Sequence, residues 1–342
     1  MLDNDQVQDV DRVRAAFVDP YEFWSSPLYR HLSAVVAEDR FLVEVAAHAR
    51  PGQGPTFAFF GAVHAILLAG IPHPLARYYP SLVGDAALPP DGGAGPALLD
   101  FVREYTAEIQ TLLANRLVQT NHVQRAVGLR LGLSEIASGV GSGPVHLLEV
   151  GSSAGLVLRQ GWYGYHLGDR SFGDRGSPIQ LDTEWRGGIS VPDLDAMPVI
   201  ATLAGIDLNP LDPADEADRR WLDALVWPEN RSQAQLLDAA LALAAHTPIP
   251  VLAGDALDCC PKWGNGIPAG DPRVVFHCAT RMHVPADRLD QFDDAINELG
   301  QRGPLYRIQI EGDGVAITYP DGARDIAFDV DGHLAWAQRH ED

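Results

Sequence analysis

The residues best suited to chemistry lie in Val145-His146-Leu147-Leu148-Glu149-Val150-Gly151-Ser152-Ser153-Ala154-Gly155-Leu156. An apolar run long enough for a buried strand carries an acid near its end, and two glycines then bracket three small residues. A helix-like segment follows. A strand that feeds a tight turn at a helix N-terminus leaves bare backbone N–H groups beside open space, as α/β proteins do to hold a nucleotide-like ligand. A dinucleotide fingerprint does not fit, because it needs glycines where Ser153 and Leu156 stand.

Two further acids follow strands. Asp207 closes Ala204-Gly205-Ile206-Asp207, and Asp255 with Ala256 ends Pro250-Val251-Leu252-Ala253-Gly254-Asp255-Ala256-Leu257. A carboxylate at a strand end can take two hydroxyl hydrogen bonds at once. Asp169 lies nearer the usual distance from Gly151, but its surroundings are those of a loop, so Asp207 is preferred. Candidate proton acceptors are His277, in Arg273-Val274-Val275-Phe276-His277-Cys278-Ala279, and Glu311, at the end of Leu305-Tyr306-Arg307-Ile308-Gln309-Ile310-Glu311. An imidazole titrates near working pH, which makes His277 the leading base and Glu311 the second.

Helical periodicity marks the elements that must position these groups. Residues 1 to about 140 read as helices, with apolar spacing over Asp11–Val18, Pro27–Ala49 and Leu98–Leu113 and a further helix over about Asn121–Ala137. The longest apolar run, Phe57–Ile71, is interrupted by His64 and is too short for a bilayer span, so it is a buried helix. Pro96 suits a first helical turn after the loop at 89–96. Within Val118-Gln119-Thr120-Asn121-His122-Val123-Gln124-Arg125, the polar residues Gln119, Asn121 and Arg125 are candidates to cover a ligand. Arg77-Tyr78-Tyr79-Pro80 and Gly84-Asp85 are weaker candidates for a substrate side. Gly161–Gly188, with Tyr163 among its aromatics, reads as an irregular insertion over about 161–200, either a lid or substrate wall or a decorated surface loop with a small hairpin. Helices follow at 213–225, 232–245 and 285–299, and the end of the chain reads as hairpin strands around Glu311-Gly312-Asp313-Gly314 and Pro320-Asp321-Gly322.

At 342 residues the chain can hold one large domain or two. Its net charge of −21 argues against a nucleic acid, which needs clustered cations, and against an anionic membrane surface. Three cysteines, Cys259, Cys260 and Cys278, form neither a disulfide framework nor a metal signature, and they suit a reducing cytoplasm. Cys259 and Cys260, with only Lys262 as a nearby cation, read as packing residues. The acidic start Met1-Leu2-Asp3-Asn4-Asp5 is unlike a secretory leader. Signatures of zinc proteases, phosphate loops and serine hydrolases are missing.

The spacing Glu149-x-Gly151-x-Ser153-x-Gly155 resembles the first motif of the class I S-adenosylmethionine (SAM) dependent methyltransferases, with Ser153 in place of the middle glycine. Asp207 and the Gly254-Asp255-Ala256 turn resemble the second and third motifs in the right order. The resemblance implies a Rossmann-like α/β fold over 141–342, mostly parallel with an antiparallel C-terminal hairpin, beside an all-helical cap or substrate domain over 1–140. It further implies SAM held by Glu149, Gly151, Ser152, Ser153, Gly155, Asp207, Asp255 and Ala256, under Gln119, Asn121, Arg125 and Tyr163. The Asp/Asn-Pro-Pro-aromatic signature of amino-group methyltransferases is absent. As a whole the chain resembles a bacterial family of uncharacterised proteins, on Gln119-Thr120-Asn121, the Leu147–Leu156 turn, Gly205-Ile206-Asp207-Leu208-Asn209-Pro210-Leu211-Asp212, Ala224-Leu225-Val226-Trp227-Pro228 and Gly254-Asp255-Ala256.

The expected function is therefore SAM-dependent methylation of a small molecule at oxygen or nitrogen, with no metal. Two alternatives stand beside it. One is the same fold used for a non-methylating substitution or ring closure, and the other is a non-catalytic binding module or partner subunit. A homo-oligomer or a protein partner is left open.

Overall fold

The computed structural model describes residues 7–19, 23–140, 143–312 and 314–341. The acidic start at residues 1–5, and Asp313 of the turn after Glu311, lie outside them. The helices are α1 (Val10–Val18), α2 (Pro27–Glu38), α3 (Arg40–Ala46), α4 (Pro55–Leu68), α5 (Pro80–Val83) and α6 (Ala94–Glu104). They continue with α7 (Thr106–Asn115), α8 (Ala126–Ile136), α9 (Glu216–Ala224), α10 (Arg231–His246), α11 (Ala256–Asn265) and α12 (Leu289–Asn297). The strands are β1 (Val145–Val150), β2 (Gly164–Leu167), β3 (Arg170–Gly173), β4 (Gln180–Arg186), β5 (Ile200–Asp207) and β6 (Val251–Ala253). After them come β7 (Arg273–Cys278), β8 (Leu305–Ile310), β9 (Gly314–Thr318), β10 (Arg324–Val330) and β11 (Trp336–Arg339). Among the described residues no helix is long and apolar enough to cross a membrane.

The chain divides into two compact units, Met1–Thr120 with Asp215–Asp238, and Asn121–Ala214 with Ala239–Asp342. The first is helical. The sequence reads one helix over Pro27–Ala49, but Asp39 takes an extended backbone and splits it; its carboxylate accepts from the Leu42 N–H and so starts α3. Tyr105 likewise separates α6 from α7, and Pro96 sits in the first turn of α6. α4 is apolar on every side and is buried accordingly. Gly61 of α4 leaves room for Leu225 and the ring of Trp221, whose indole N–H donates to the Leu117 carbonyl at 2.8 Å. His64 lies in this core between the Ala224 carbonyl (3.0 Å from Nδ1) and the Ser81 hydroxyl (2.8 Å from Nε2). A neutral ring fits both partners, donating to the carbonyl and accepting from the hydroxyl.

The second unit is an α/β structure on one eleven-stranded sheet, in the order β3-β2-β4-β11-β10-β9-β8-β7-β1-β5-β6. Its β6-β5-β1-β7-β8 stretch is parallel throughout, and β8, β9, β10 and β11 continue it as an antiparallel meander. The sheet is mixed and mostly parallel. All six residues of β1 are buried, as a strand covered on both faces requires. β5 and β7 flank β1 although they follow it in the chain on opposite sides, so the order reverses beside β1. Open α/β sheets place their ligands at the carboxyl ends of strands at such a reversal.

Two expectations change here. Of the two readings of 161–200 the small hairpin is present, as β2 and β3, but the segment is no surface loop, because β4 joins β2 to β11 and extends the sheet. Buried Arg130 of α8 anchors this segment, donating to the Leu194 carbonyl, Gln160 and Asp195 and lying over the Tyr165 ring. The strand expected over 250–257 stops at Ala253, because Asp255 caps α11. Cys259 and Cys260 pack from α11 into the core beside Leu148, Ile206 and Phe292. Burial pushes the Cys260 thiol up to about 12, which keeps it protonated.

α8 lies on β8 through two glycines. A Cβ on Gly132 would overlap Ile308 Cγ2, and one on Gly128 would overlap the movable end of Ile310. Gly132→Ala should therefore lower stability by about 1–3 kcal/mol despite the helix propensity it gains, and Gly128→Ala by less. Urea unfolding of the two variants checks the ranking. His64 supplies a pH dependence. Burial lowers its pKa to about 4, against an ordinary 6.5, with the Ala224 bond opposing. The unfolded chain then binds the proton more readily, so stability is full above 6.5 and falls as pH drops towards 4. His64→Gln should be less stable at about pH 7.5 and should lose less on going to about pH 5, as read from urea midpoints.

Candidate functional site

The turn after β1 is built from left-handed residues. Gly151, Ser153 and Gly155 have φ of 78°, 50° and 64°, so the three alternate positions of the motif share one backbone need. Glycine meets it without strain, whereas a serine costs on the order of 1 kcal/mol. Ser153 is held there by three bonds. Its N–H donates to Asp207 Oδ2 at 2.7 Å, its hydroxyl accepts from Asn121 Nδ2 at 2.7 Å, and its carbonyl accepts from the Leu211 N–H at 3.4 Å. Gly151 also lacks room for a side chain, because Thr280 packs where its Cβ would lie and donates to the Val150 carbonyl.

No α-helix follows this turn. A 3-10 segment, Val157–Trp162, takes its place and breaks its regular geometry at Arg159. The expected helix N-terminus is therefore missing, and the turn is stabilised by a side chain instead. Arg159, 2% exposed, donates to the Ala154 and Gly155 carbonyls. Its other N–H groups reach the Ala244 and Thr247 carbonyls and the Thr247 hydroxyl at the end of α10. The buried guanidinium is thus fully bonded, although desolvation lowers its pKa.

Glu149 is 4% exposed, and its Oε2 has no hydrogen-bond partner. Burial and then the charge of Asp207 push its carboxyl well above the usual range, although a bond from the Leu158 backbone and the fields of Arg125 and Arg159 oppose this. The Ser152 hydroxyl, packed against Gly205 of β5, is likewise buried without a partner. Arg125 lies close enough for its charge to act on Glu149, Cys278, His122 and His333. His122 and His333 stack with their centroids 4.5 Å apart.

Asp207 reaches the carboxyl edge as expected, but it works there on the protein itself. Oδ2 takes the Ser153 N–H and Oδ1 takes the Asn209 N–H at 2.8 Å. Asp255 is committed as well: Oδ1 caps α11 through the Leu257 N–H, and Oδ2 pairs with Arg288 at 3.0 Å. The Ala256 N–H opens that helix.

His277 is fully buried and bonded at both nitrogens. Nδ1 lies 2.6 Å from Glu311 Oε1, and Arg307 Nε donates to Nε2 at 2.8 Å. Those partners fix a neutral ring protonated at Nδ1, and burial, before any charge, lowers its pKa. With Nε2 accepting from Arg307, no lone pair remains for a substrate proton, which removes His277 as the base. Glu311 Oε1 also accepts from the Thr280 and Arg281 N–H groups at 3.0 Å each. Burial by itself would raise the Glu311 pKa, but these bonds hold it below the usual range. Every hydrogen bond to this carboxylate among the described residues falls on Oε1, so Oε2 is uncommitted. Asp293 anchors the other end of the network through Arg307 (2.7 Å) and Arg281 (3.0 Å).

Among the expected cover residues, Asn121 and Arg125 lie at this edge, and Gln119 belongs to the segment after α7 in the first unit. Tyr163 is not an open cover residue: it is buried, and its hydroxyl donates to the Leu156 carbonyl at 2.6 Å, a structural staple of the turn. Sequence reasoning missed Arg159, Thr280, Arg307 and Asp293. The only local signals were an arginine in an otherwise apolar stretch at Arg159 and another inside β8 at Arg307.

A family model described as "Uncharacterized protein conserved in bacteria (DUF2332)" matches residues 17–340. No curated protein and no solved structure matches the chain.

The left-handed turn yields a test of strain against bonding. Ser153→Gly gains backbone ease and loses the Asn121 bond, so its stability should stay within about 1 kcal/mol of the original. Ser153→Val puts a β-branched residue at a left-handed position and loses the same bond, for an expected cost of about 2–4 kcal/mol. Thermal and urea unfolding separate the two.

Proposed function

The chain belongs to that bacterial family, and from this premise we propose that it holds SAM at the carboxyl edge of its parallel strands and methylates a small molecule. The observation that carries the reading is the turn at Gly151, Ser153 and Gly155, left-handed at each alternate position and joined by the Asp207 carboxylate to the end of β5, beside the reversal of strand order. The residues present fit an adenosyl amino acid at two kinds of point. Glu149 Oε2 and the Ser152 hydroxyl are buried atoms awaiting partners. Asp207 is a carboxylate at the end of β5, the kind of group that takes paired hydroxyls, and it is fixed there by the Ser153 and Asn209 N–H groups. Asp255 is a poorer fit, because both its oxygens are engaged.

When bound, SAM supplies an electrophilic methyl group. The chain's own part is to position the acceptor and take its proton. Glu311 Oε2 is the proton acceptor in this reading, and His277 is the positioning residue that fixes Oε1. Asp293 and Arg307 hold His277 in the tautomer that donates to Glu311. A carboxylate held below its usual pKa takes a proton best from an acceptor that is itself acidic, which favours an acidic hydroxyl over an amine. One observation favours a second reading, a non-catalytic binding module on the same fold: the His277 imidazole is locked at both nitrogens.

Isothermal titration calorimetry of the whole chain with SAM and with its demethylated product tests the proposal. We expect saturable binding of both, weakened at least tenfold in Asp207→Ala, with unfolding curves run alongside to show that the variant is folded. Absence of heat and of a thermal shift with either ligand would overturn it.

A further inference from the structure

At the amino end of β8, the edge of the sheet opposite Glu311, the second unit contains a cavity of about 450 Å³, a size that holds a small organic ligand. Asn297 at the end of α12 and Gln301 in the turn after it line one part of it, with Arg307 of β8 and Thr318 at the end of β9. Arg307 and Thr318 are paired across β8 and β9, so their side chains leave the same face of the sheet. Leu305, two residues before Arg307, shares that face and gives the cavity an apolar wall. Arg307 commits Nε to His277 at 2.8 Å and Nη2 to Asp293 Oδ1 at 2.7 Å, and Nη1 has no hydrogen bond among the described residues. The Thr318 hydroxyl and the Asn297 and Gln301 amides are equally uncommitted there. No acidic side chain is among the lining residues, and Arg307 is their one permanent charge. Asp321, in the turn beyond β9, accepts from the Ala323 N–H at 3.0 Å and does not line the cavity. A chain of net charge −21 repels anions over most of its surface, so a cavity with a cation and no acid stands out as a place for one.

We propose that this cavity is a binding site for a small organic carboxylate, with Arg307 Nη1 and the Thr318 hydroxyl donating to the carboxylate and Leu305 against the ligand's apolar body. A charged donor to a carboxylate is among the stronger hydrogen bonds available, and the hydroxyl beside it takes the second oxygen. One negative charge fits better than two. Arg307 and Arg281 already share Asp293, and Glu311 lies at the far end of the same network, so a dianion meets no further cation there. The ligand and His277 would share one guanidinium, which joins this cavity to the carboxylate at the other edge of the sheet. The cavity is separate from the strand ends where SAM is placed above, and its ligand binds whether or not SAM does.

Benzoate, its neutral isostere benzamide and the dianion phenyl phosphate are the probes, titrated into the full chain without SAM and followed by the arginine Nε–H resonances. The Arg307 resonance is identified by its absence from the Arg307→Lys spectrum. Benzoate should saturate with a Kd at or below about 5 mM and should move the Arg307 resonance, because Nη1 and Nε belong to one group. Benzamide should bind at least tenfold more weakly, and phenyl phosphate more weakly than benzoate. Thr318→Val keeps a good strand former and removes the hydroxyl, so benzoate should bind about threefold to tenfold less tightly. Thr318→Trp fills the cavity and should abolish binding, with unfolding curves run on both variants to show that they are folded. The proposal is overturned if benzoate does not saturate in that range, or if it binds without moving the Arg307 resonance. Benzamide binding as well as benzoate, phenyl phosphate binding better, or a folded Thr318→Val that binds benzoate unchanged would each overturn it too.

Discussion

The Asp207 carboxylate, accepting the Ser153 N–H at 2.7 Å and the Asn209 N–H at 2.8 Å, ties the loop after β1 to the loop after β5. That pair of bonds constrains everything else at the strand ends. Ser153 must sit in a left-handed conformation for its N–H to point at Asp207, and the flanking glycines must turn the chain into and out of it. With no α-helix to satisfy the turn, its carbonyls fall to Arg159, which must then be buried and bonded on every side. Hydrogen bonds to a charged group in a buried setting are among the stronger ones available, and this turn uses three of them, one to Asp207 and two from Arg159.

The network under β7 and β8 follows the same logic with an imidazole at its centre. Asp293, Arg307, His277 and Glu311 alternate donors and acceptors, and each member fixes the next. The result is an ionised carboxylate at the strand end with one oxygen fully committed and the other not. Burying these charges is costly, and a purely structural role would be filled more cheaply by apolar residues of similar size. His277 and Glu311 bring that network to the carboxyl ends of β7 and β8.

Much of the architecture is legible in the sequence. β1 and β7 read as largely apolar runs because parallel strands are covered on both faces, and α4 announces itself by being apolar all round. Helix breaks were harder. Asp39 and Tyr105 interrupt apolar periodicities that run on through them, since the two short helices present their apolar residues to one core. Residues 161–200 looked irregular because the alternating pattern of edge strands is short and rich in glycine, and only the pairing of β2 with β3 and β4, and of β4 with β11, makes them part of the sheet. The grouping of residues 215–238 with the N-terminal helices depends on contacts across more than a hundred residues of chain, such as Trp221 with Leu117.

The candidate site divides in the same way. Residue type and local spacing were enough to mark the turn at Gly151–Gly155, the acid at Asp207 and the polar stretch at Asn121–Arg125, because small residues and strand-end acids are informative without their partners. Which atoms remain uncommitted was decided by the tertiary structure alone. Ser153 and Asp207 are 54 positions apart, and His277 and Arg307 are 30 apart. Such partners meet only through the register of neighbouring strands. A histidine at a strand end therefore reads as a base until its second nitrogen is found occupied.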